Sequence, residues 1–390
     1  MRVAYIYDLQ ADDIMVQSGR PCSILRQLRQ RVEVEPIFPL NGWPQYAFSA
    51  KYAFYKLRHQ TYRPDREPFV LRAMARQIRR RLMNTRVDRI FAPGSHVLSR
   101  LEIDVPKVLC MDATFASVVD NYSEFSKCAP EYLRQGHAQE AEALAKCAAV
   151  ILPSEWAAKG AINDYGVDPN KVHVVPFGAN IDVPPASTVH HMIDARGFDK
   201  LRILFMGRDW QRKGGSLMLQ AVARARQRGV PVEVDIVGPA HIPTPLPDYA
   251  RFHGLLVKRV QQEKATLDRL MRESHILFVP SRAENFGMTF CEGAAFGIPS
   301  LATDVGGITS AVRSGVSGWS LPLDADAAAY AEILSNCYHD PEGYRRLART
   351  TRAFYDNNLT WDAFGQRLVK ILSAEPDGLE VLAPHRGWAI

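Results

Sequence analysis

Two carboxylates, Glu284 and Glu292, stand eight residues apart in the run PSRAENFGMTFCEGAAFGIP at 280–299. A carboxylate accepts two hydroxyl hydrogen bonds at once, so such a pair suits the vicinal diols of a hexose or a ribose. In another setting it would suit an acid and a base. The spacing alone means little, because solvated helix residues produce it by chance. Upstream, the run RDWQRKGG at 208–215 sets Arg208 and Lys213 on either side of a turn that leads into a helical stretch. There Gly214 and Gly215 would let the backbone approach a ligand, and Ser216 is expected to cap the helix. A helix N-terminus flanked by a guanidinium and an ammonium suits a doubly charged diphosphate. The bland alternative is a solvated basic turn. A weaker counterpart lies near the start, where Gln17-Ser18-Gly19-Arg20-Pro21 precedes CSILRQLRQR. Gly19 would allow close approach, and Pro21 suits a helix start.

These residues need a sheet to hold them. Apolar runs read as strands buried on both faces, hence parallel. They are VAYIY, DRIFA, KVLCM, AVILP and KVHVVP in the first half, and RILFMG, VEVDIVG, HILFVP, PSLAT and GWSLP in the second. Helical patterns are predicted at 22–31, 69–83, 131–146, 216–228, 265–274, 288–296 and 325–337. This alternation is that of doubly wound α/β domains. The runs AVILPSEW and HILFVPSRAE echo each other as strands ending in Pro-Ser just before a helix. Two similar domains are therefore expected, 1–183 and 184–358, joined near the proline-broken NIDVPPASTV at 180–189. A last helix and tail occupy 359–390. Glu284 then falls at the C-terminal end of a strand, and Glu292 on the following helix. Ligands of open α/β sheets bind at that edge.

At 390 residues, with 47% apolar and 23% charged residues, the chain is a soluble globular type with room for two cores. No apolar run approaches the ~20 residues of a membrane span. The opening MRVAYIYDLQ reads as a first strand, not a leader. Six scattered cysteines without a CxxC pair point to reduced thiols in the cytoplasm. The net charge of +6 is local in origin: 12 Lys/Arg lie between Lys51 and Arg89 against Asp65, Glu67 and Asp88. Within this segment Leu71, Met74, Ala75, Ile78 and Leu82 recur at helical spacing, ringed by arginines. The aromatics Trp43, Tyr46, Phe48, Tyr52, Phe54 and Tyr55 lie just upstream. The plain reading is a helix packed on the sheet with a solvated face. The functional one is contact with an anionic membrane or a phosphorylated acceptor through 51–89. Nucleic acid is not expected as a partner.

The pattern PSxxExFGxxxxExxAxGxP, with RxxxxK upstream, resembles the retaining glycosyltransferases of family 4 (glycosyl transferases group 1). The resemblance is close over 202–323 and looser over 1–180, where VPFGANID fits. LTWDAFGQRLVKIL resembles the family's last helix. It implies the GT-B fold, two Rossmann-like domains facing a central cleft, with the last helix crossing back to the first. It also implies metal-independent transfer of a hexose from a UDP- or GDP-sugar to a hydroxyl of a saccharide, lipid-linked or small-molecule acceptor. The nucleotide sugar is a substrate, and no cofactor is implied.

By the same resemblance Arg208 and Lys213 neutralise the diphosphate, and Glu284 faces the sugar hydroxyls. The amides of Asn285, Phe286 and Gly287 hold sugar or phosphate oxygens, and Glu292 takes the ribose. Gly19 meets the phosphates, and the base lies near His253. Many members carry a His-Asp pair where this chain has Met111 and Asp112. Asp112 keeps its catalytic-side place, Thr114 is a candidate to replace the histidine's contact, and His96 is a candidate to line the site. No Asp-x-Asp run or histidine cluster stands out to hold a metal. An acceptor-free sugar-nucleotide epimerase of the same fold is the alternative, and a basic membrane- or nucleic-acid-binding protein a remoter one.

Overall fold

The computed structural model describes residues 1–374. The expectation for the tail concerns residues that lie almost wholly beyond them. The chain divides into two compact units. One is Met1–Pro176 together with the helix that starts at Trp361, and the other is Phe177–Thr360.

The first unit holds β1 (Arg2–Ile6), β2 (Glu33–Ile37), β3 (Arg89–Ala92), β4 (Lys107–Cys110), β5 (Ala149–Leu152) and β6 (Val172–Val174). All are parallel, in the order β2-β1-β3-β4-β5-β6. The second unit holds β7 (Leu201–Met206), β8 (Val232–Val237), β9 (Ala250–Gly254), β10 (Ile276–Val279), β11 (Ser300–Thr303) and β12 (Gly318–Leu321). These too are parallel, in the order β12-β11-β10-β7-β8-β9. That is the full Rossmann order, with the reversal of strand order between β7 and β10. In the first unit the reversal lies between β1 and β3.

The apolar runs became the inner strands because only a strand covered on both faces needs to be apolar throughout. Val3–Ile6, Leu277–Val279 and Val150–Leu152 are all fully buried. The two strands that the apolar criterion missed, β2 and β9, are sheet edges with mixed exposure. Helices Ser49–Leu57, Ala186–Ala195 and Pro341–Asn358 were also not anticipated. Helix Ala186–Ala195 begins directly after Pro185, inside the stretch expected to be irregular. Pro-Ser does not precede both helices closely. Ser154 caps helix Glu155–Tyr165, whereas Ser281 is followed by a loop and the next helix starts at Met288.

Helix Pro68–Leu82 buries Val70, Leu71, Met74, Ala75, Ile78 and Leu82. Its apolar stripe is therefore core, as the plain reading has it. The last helix, Trp361–Ser373, packs on helix Arg20–Arg29 within the first unit. It is pinned by an ion pair between Arg31 and Asp362 and by Arg89 Nε donating to the Leu372 carbonyl at 3.0 Å.

Candidate active site

The second unit gathers its charged residues at the reversal of strand order. Arg208 and Lys213 follow β7, and Glu284 follows β10. Two close backbone approaches fix the geometry. Gly214, at φ 73°, ends the turn ahead of helix Gly215–Gln227, and a Cβ there would lie 2.0 Å from the Pro280 carbonyl oxygen. The absent side chain thus lets the β7 turn lie directly on the end of β10, and Arg282 N donates to Arg212 O at 2.7 Å across the seam. On the other flank, Gly306 (φ 60°) would put a Cβ 1.9 Å from the Glu284 carbonyl oxygen, which accepts from Gly307 N at 3.1 Å. The glycines expected to approach a ligand instead approach protein: the ring of Trp210 fills the space beside Gly215. Nor does Ser216 cap the helix. It sits inside the first turn, and its Oγ accepts from Trp210 Nε1 at 3.1 Å.

Held this way, Lys213 Nζ donates directly to Glu284 Oε2. Arg212 adds Nη1 at 3.4 Å from the same oxygen and at 2.8 Å from the Ala283 carbonyl. The Lys213 and Glu284 side chains are only 8% and 11% exposed, so this is a nearly buried ion pair. Arg208, by contrast, makes no ion pair among the described residues. It lines a groove with Trp210, His241 and Pro243. Arg212 is the residue missed here, although it lies inside the quoted RDWQRKGG run. Its basic type was the only signal.

Gly287 caps helix Met288–Ala295, so the amides of the loop's end and the helix's first turn form one N-terminus. Phe286 is buried edge-on against Phe177, with ring centroids 5.5 Å apart. Asn285 begins this short run, just after Glu284. Glu292, on that helix, is also nearly buried. Lys258 Nζ donates to its Oε1 at 2.7 Å. His253 lies on the edge strand β9, and its Nε2 is 2.6 Å from Asp235 Oδ1 of β8. An Asp-x-Asp run does occur, contrary to expectation, at Asp324-Ala325-Asp326. Asp326 there caps helix Ala327–His339, accepting from Ala328 N and Ala329 N at 3.0 Å.

The first unit gathers its own set at the C-terminal edge of its sheet. Gly19 precedes helix Arg20–Arg29 with φ 82°. Arg20 is buried, donates to Gln17 and to the Pro93 carbonyl, and places Nη1 3.8 Å from Asp112 Oδ1. Asp112 is half exposed. Met111 is not at the surface to replace a histidine. It is 5% exposed and belongs to the core. Thr114 is fully buried and supplies no outward contact: it caps the short helix Phe115–Val118 by accepting from Ser117 N at 3.2 Å. The loop is anchored by buried Glu140, which accepts from Phe115 N and, at 2.8 Å, from Ser95 Oγ. Burial holds the Glu140 pKa above its ordinary value. His96 is paired with Asp8 at 3.1 Å. Burial disfavours its charge, but the Asp8 charge and hydrogen bond prevail and raise its pKa.

Residues 22–183 match the Glycosyltransferase Family 4 family, and residues 200–340 match Glycosyl transferases group 1. The chain belongs to glycosyltransferase family 4. Similar family members include the D-inositol 3-phosphate glycosyltransferase of Gordonia bronchialis, 28% identical over 256 residues, 60% of this chain and 56% of that one. The enzyme of the same name from Xylanimonas cellulosilytica is 30% identical over 240 residues, 57% of this chain and 56% of that one. The chain thus spans little more than half the length of the curated relatives it matches. Among solved structures, Anabaena Alr3699/HepE in complex with UDP-glucose aligns at TM-score 0.63 and 17% identity, covering 96% of this chain and 99% of that one. WaaG, a glycosyltransferase involved in lipopolysaccharide biosynthesis, aligns at TM-score 0.59 and 13% identity, covering 96% and 100%. These likenesses give this family 4 chain the GT-B fold. No helix among its described residues is long and apolar enough to cross a membrane.

Proposed function

We propose that this chain is a retaining, metal-independent hexosyltransferase. It moves a hexose from a UDP- or GDP-sugar to a hydroxyl of a saccharide, lipid-linked or small-molecule acceptor. The carrying observation is the cluster at the strand-order reversal of the second unit, where Lys213, Arg212 and Glu284 are locked together and Arg208 stands open. A diphosphate suits Arg208 and Lys213, and its arrival would release Glu284 to accept hydrogen bonds from the hexose hydroxyls. The helix N-terminus at Asn285, Phe286 and Gly287 supplies further donors. Glu292 takes the ribose, with the base near His253. The resemblance assigns Gly19 and Asp112 of the first unit to the same reaction.

In the transfer the bond from the sugar's anomeric carbon to the β-phosphate oxygen breaks, and charge grows on the leaving diphosphate. Cations that grip it more strongly in the transition state lower the barrier. The acceptor oxygen bonds the anomeric carbon from the same face. Its proton passes to a phosphate oxygen of the leaving group, giving glycoside and nucleoside diphosphate. Glu284 positions the sugar and takes no proton. The six free cysteines suit work in the cytoplasm.

The test is turnover of a nucleotide-sugar panel with product analysis, alongside binding of UDP and GDP. Lys213→Ala is expected to lower kcat/KM by roughly 100-fold or more, the scale of losing a transition-state cation. A protein that turns over no nucleotide sugar, and whose Lys213→Ala and Glu284→Gln variants bind UDP and GDP as the wild type does, would falsify the proposal.

A surface role accompanies this reading. Helix Ser49–Leu57 buries none of its residues, and Trp43, Tyr46, Tyr52, Phe54 and Leu57 are exposed. Lys56 and Arg58 lie over the Tyr52 and Phe54 rings. No acidic residue occurs between Glu35 and Asp65. Aromatic rings with basic heads above them suit an anionic membrane face. Within the basic segment 51–89 the membrane contact therefore centres on this helix, and not on the core-packed helix after it.

A further inference from the structure

The ribose-side carboxylate has a partner that the motifs did not single out. Lys258 lies in the loop between β9 and helix Gln261–Glu273, just beyond the His253 segment. Its Nζ donates to Glu292 Oε1 at 2.7 Å and to the Asn180 carbonyl at 2.8 Å. The Glu292 side chain is 10% exposed and that of Lys258 37%. The ammonium is therefore fixed on its inner side by two acceptors, and its outer side is open.

An ammonium has three N–H donors, and these two bonds leave one. A carboxylate has lone pairs for several donors, and the Lys258 bond takes only one of them. The hydroxyls of a vicinal diol both donate and accept. Glu292 alone can only accept. Together Glu292 and Lys258 present both halves of the complement. Lys258 is not placed by chance: it is tied to the 180 segment by its own bond, and Lys264 holds Asp182 of that segment at 2.5 Å.

We propose that Lys258 is a specificity-determining residue of the nucleotide site: it orients Glu292 and donates its remaining N–H to a ribose hydroxyl oxygen, so that the site selects ribonucleoside diphosphates over their deoxy counterparts. This rests on the reading of Glu292 as the ribose contact. It differs from a structural role because a lysine that merely braced the loop would affect all nucleotides alike. It differs equally from a blocking role, in which the lysine would have to leave before the diol could bind.

Isothermal titration of the full chain with UDP and GDP, and with the 2′-deoxy and 3′-deoxy forms of whichever binds, separates these cases. The wild type is expected to prefer the ribonucleotide. Lys258→Met is expected to weaken ribonucleotide binding about tenfold or more, the scale of a hydrogen bond to a charged group. It should scarcely alter binding of one deoxy form, so the preference collapses, and Lys258→Arg should restore part of it. Equal weakening of ribo and deoxy ligands, no change, or tighter ribonucleotide binding in Lys258→Met would overturn the assignment while leaving the donor reading intact. Thermal unfolding of each variant shows whether a loss comes from misfolding, and Lys258→Gln provides a second neutral replacement. A wild type that binds neither nucleotide overturns the donor reading and this assignment together.

Discussion

Splitting the Lys213–Glu284 pair is expected to separate its structural from its ligand-binding role. Two cations, Lys213 and Arg212, share one oxygen of Glu284 in a setting that is about nine-tenths buried. Removing one partner of a buried pair costs about 3–5 kcal/mol, because the other charge is left without compensation. Glu284→Gln leaves two cations facing each other, so about 3 kcal/mol is expected, at the low end because both side chains still reach solvent. Lys213→Met leaves Glu284 with Arg212 at 3.4 Å and should cost less. The double variant should fall short of the sum of the two singles by about 0.5–3 kcal/mol, the range for residues in direct contact.

Urea unfolding of the four proteins measures these terms. Titration with UDP then reads the second role. If the carboxylate competes with the diphosphate for Lys213, Glu284→Gln should bind UDP more tightly than wild type, by about tenfold for each 1.4 kcal/mol released. It should also transfer sugar more slowly, having lost its contact to the hydroxyls. Lys213→Met should bind UDP more weakly. Additive single costs would show that no coupled pair exists. Weaker UDP binding by Glu284→Gln would show that the carboxylate does not compete with phosphate.

Two further outcomes are expected. Buried His275 is held neutral, with Nδ1 accepting from Arg202 N at 3.1 Å and Nε2 3.0 Å from the Gly197 carbonyl; burial, with Arg196 and Arg202 nearby, lowers its pKa from 6.5 to about 3. The folded value lies below the unfolded one, so the stability it contributes is complete above pH 6.5 and is lost progressively below it, by up to about 1.4 kcal/mol per pH unit. Urea midpoints of wild type and His275→Gln between about pH 7.5 and pH 5 check this, since equal slopes would refute it. At the surface proposed to meet a membrane, cosedimentation with anionic vesicles but not zwitterionic ones is expected, and the exposed Trp43→Ala/Leu57→Asp variant should lose it. Indifference to vesicle charge, or retention by that variant, would count against the contact.

The inner strands and the carboxylate–cation constellation were legible in the residues for one physical reason. Burial on both faces forces unbroken apolar runs, and charged residues after such runs stand out. Edge strands β2 and β9 carry no such demand, and EVEPI and ARFHG look like loop. The positions of Glu284, Lys213 and Arg208 could be read from their place after β10 and β7, but their mutual state could not. Whether a lysine meets a carboxylate depends on Gly214 and Gly306, whose close contacts with Pro280 and Glu284 join residues far apart in the chain. Thr114 was misjudged because a side chain's direction just past a strand depends on the local turn, here one anchored by Glu140 from a distant helix. Lys258 lay outside every motif, and only the fold brings it to Glu292.

The chain leaves the first unit at Pro176 and re-enters it at Trp361. One body is therefore inserted into the sequence of the other. As the polypeptide is made from its N-terminus, every strand of the second unit is available before the first unit receives its last helix. Until that helix arrives, the face of helix Arg20–Arg29 that it covers stands bare, and Arg31 lacks Asp362. The helix that follows Gly19 is thus completed last.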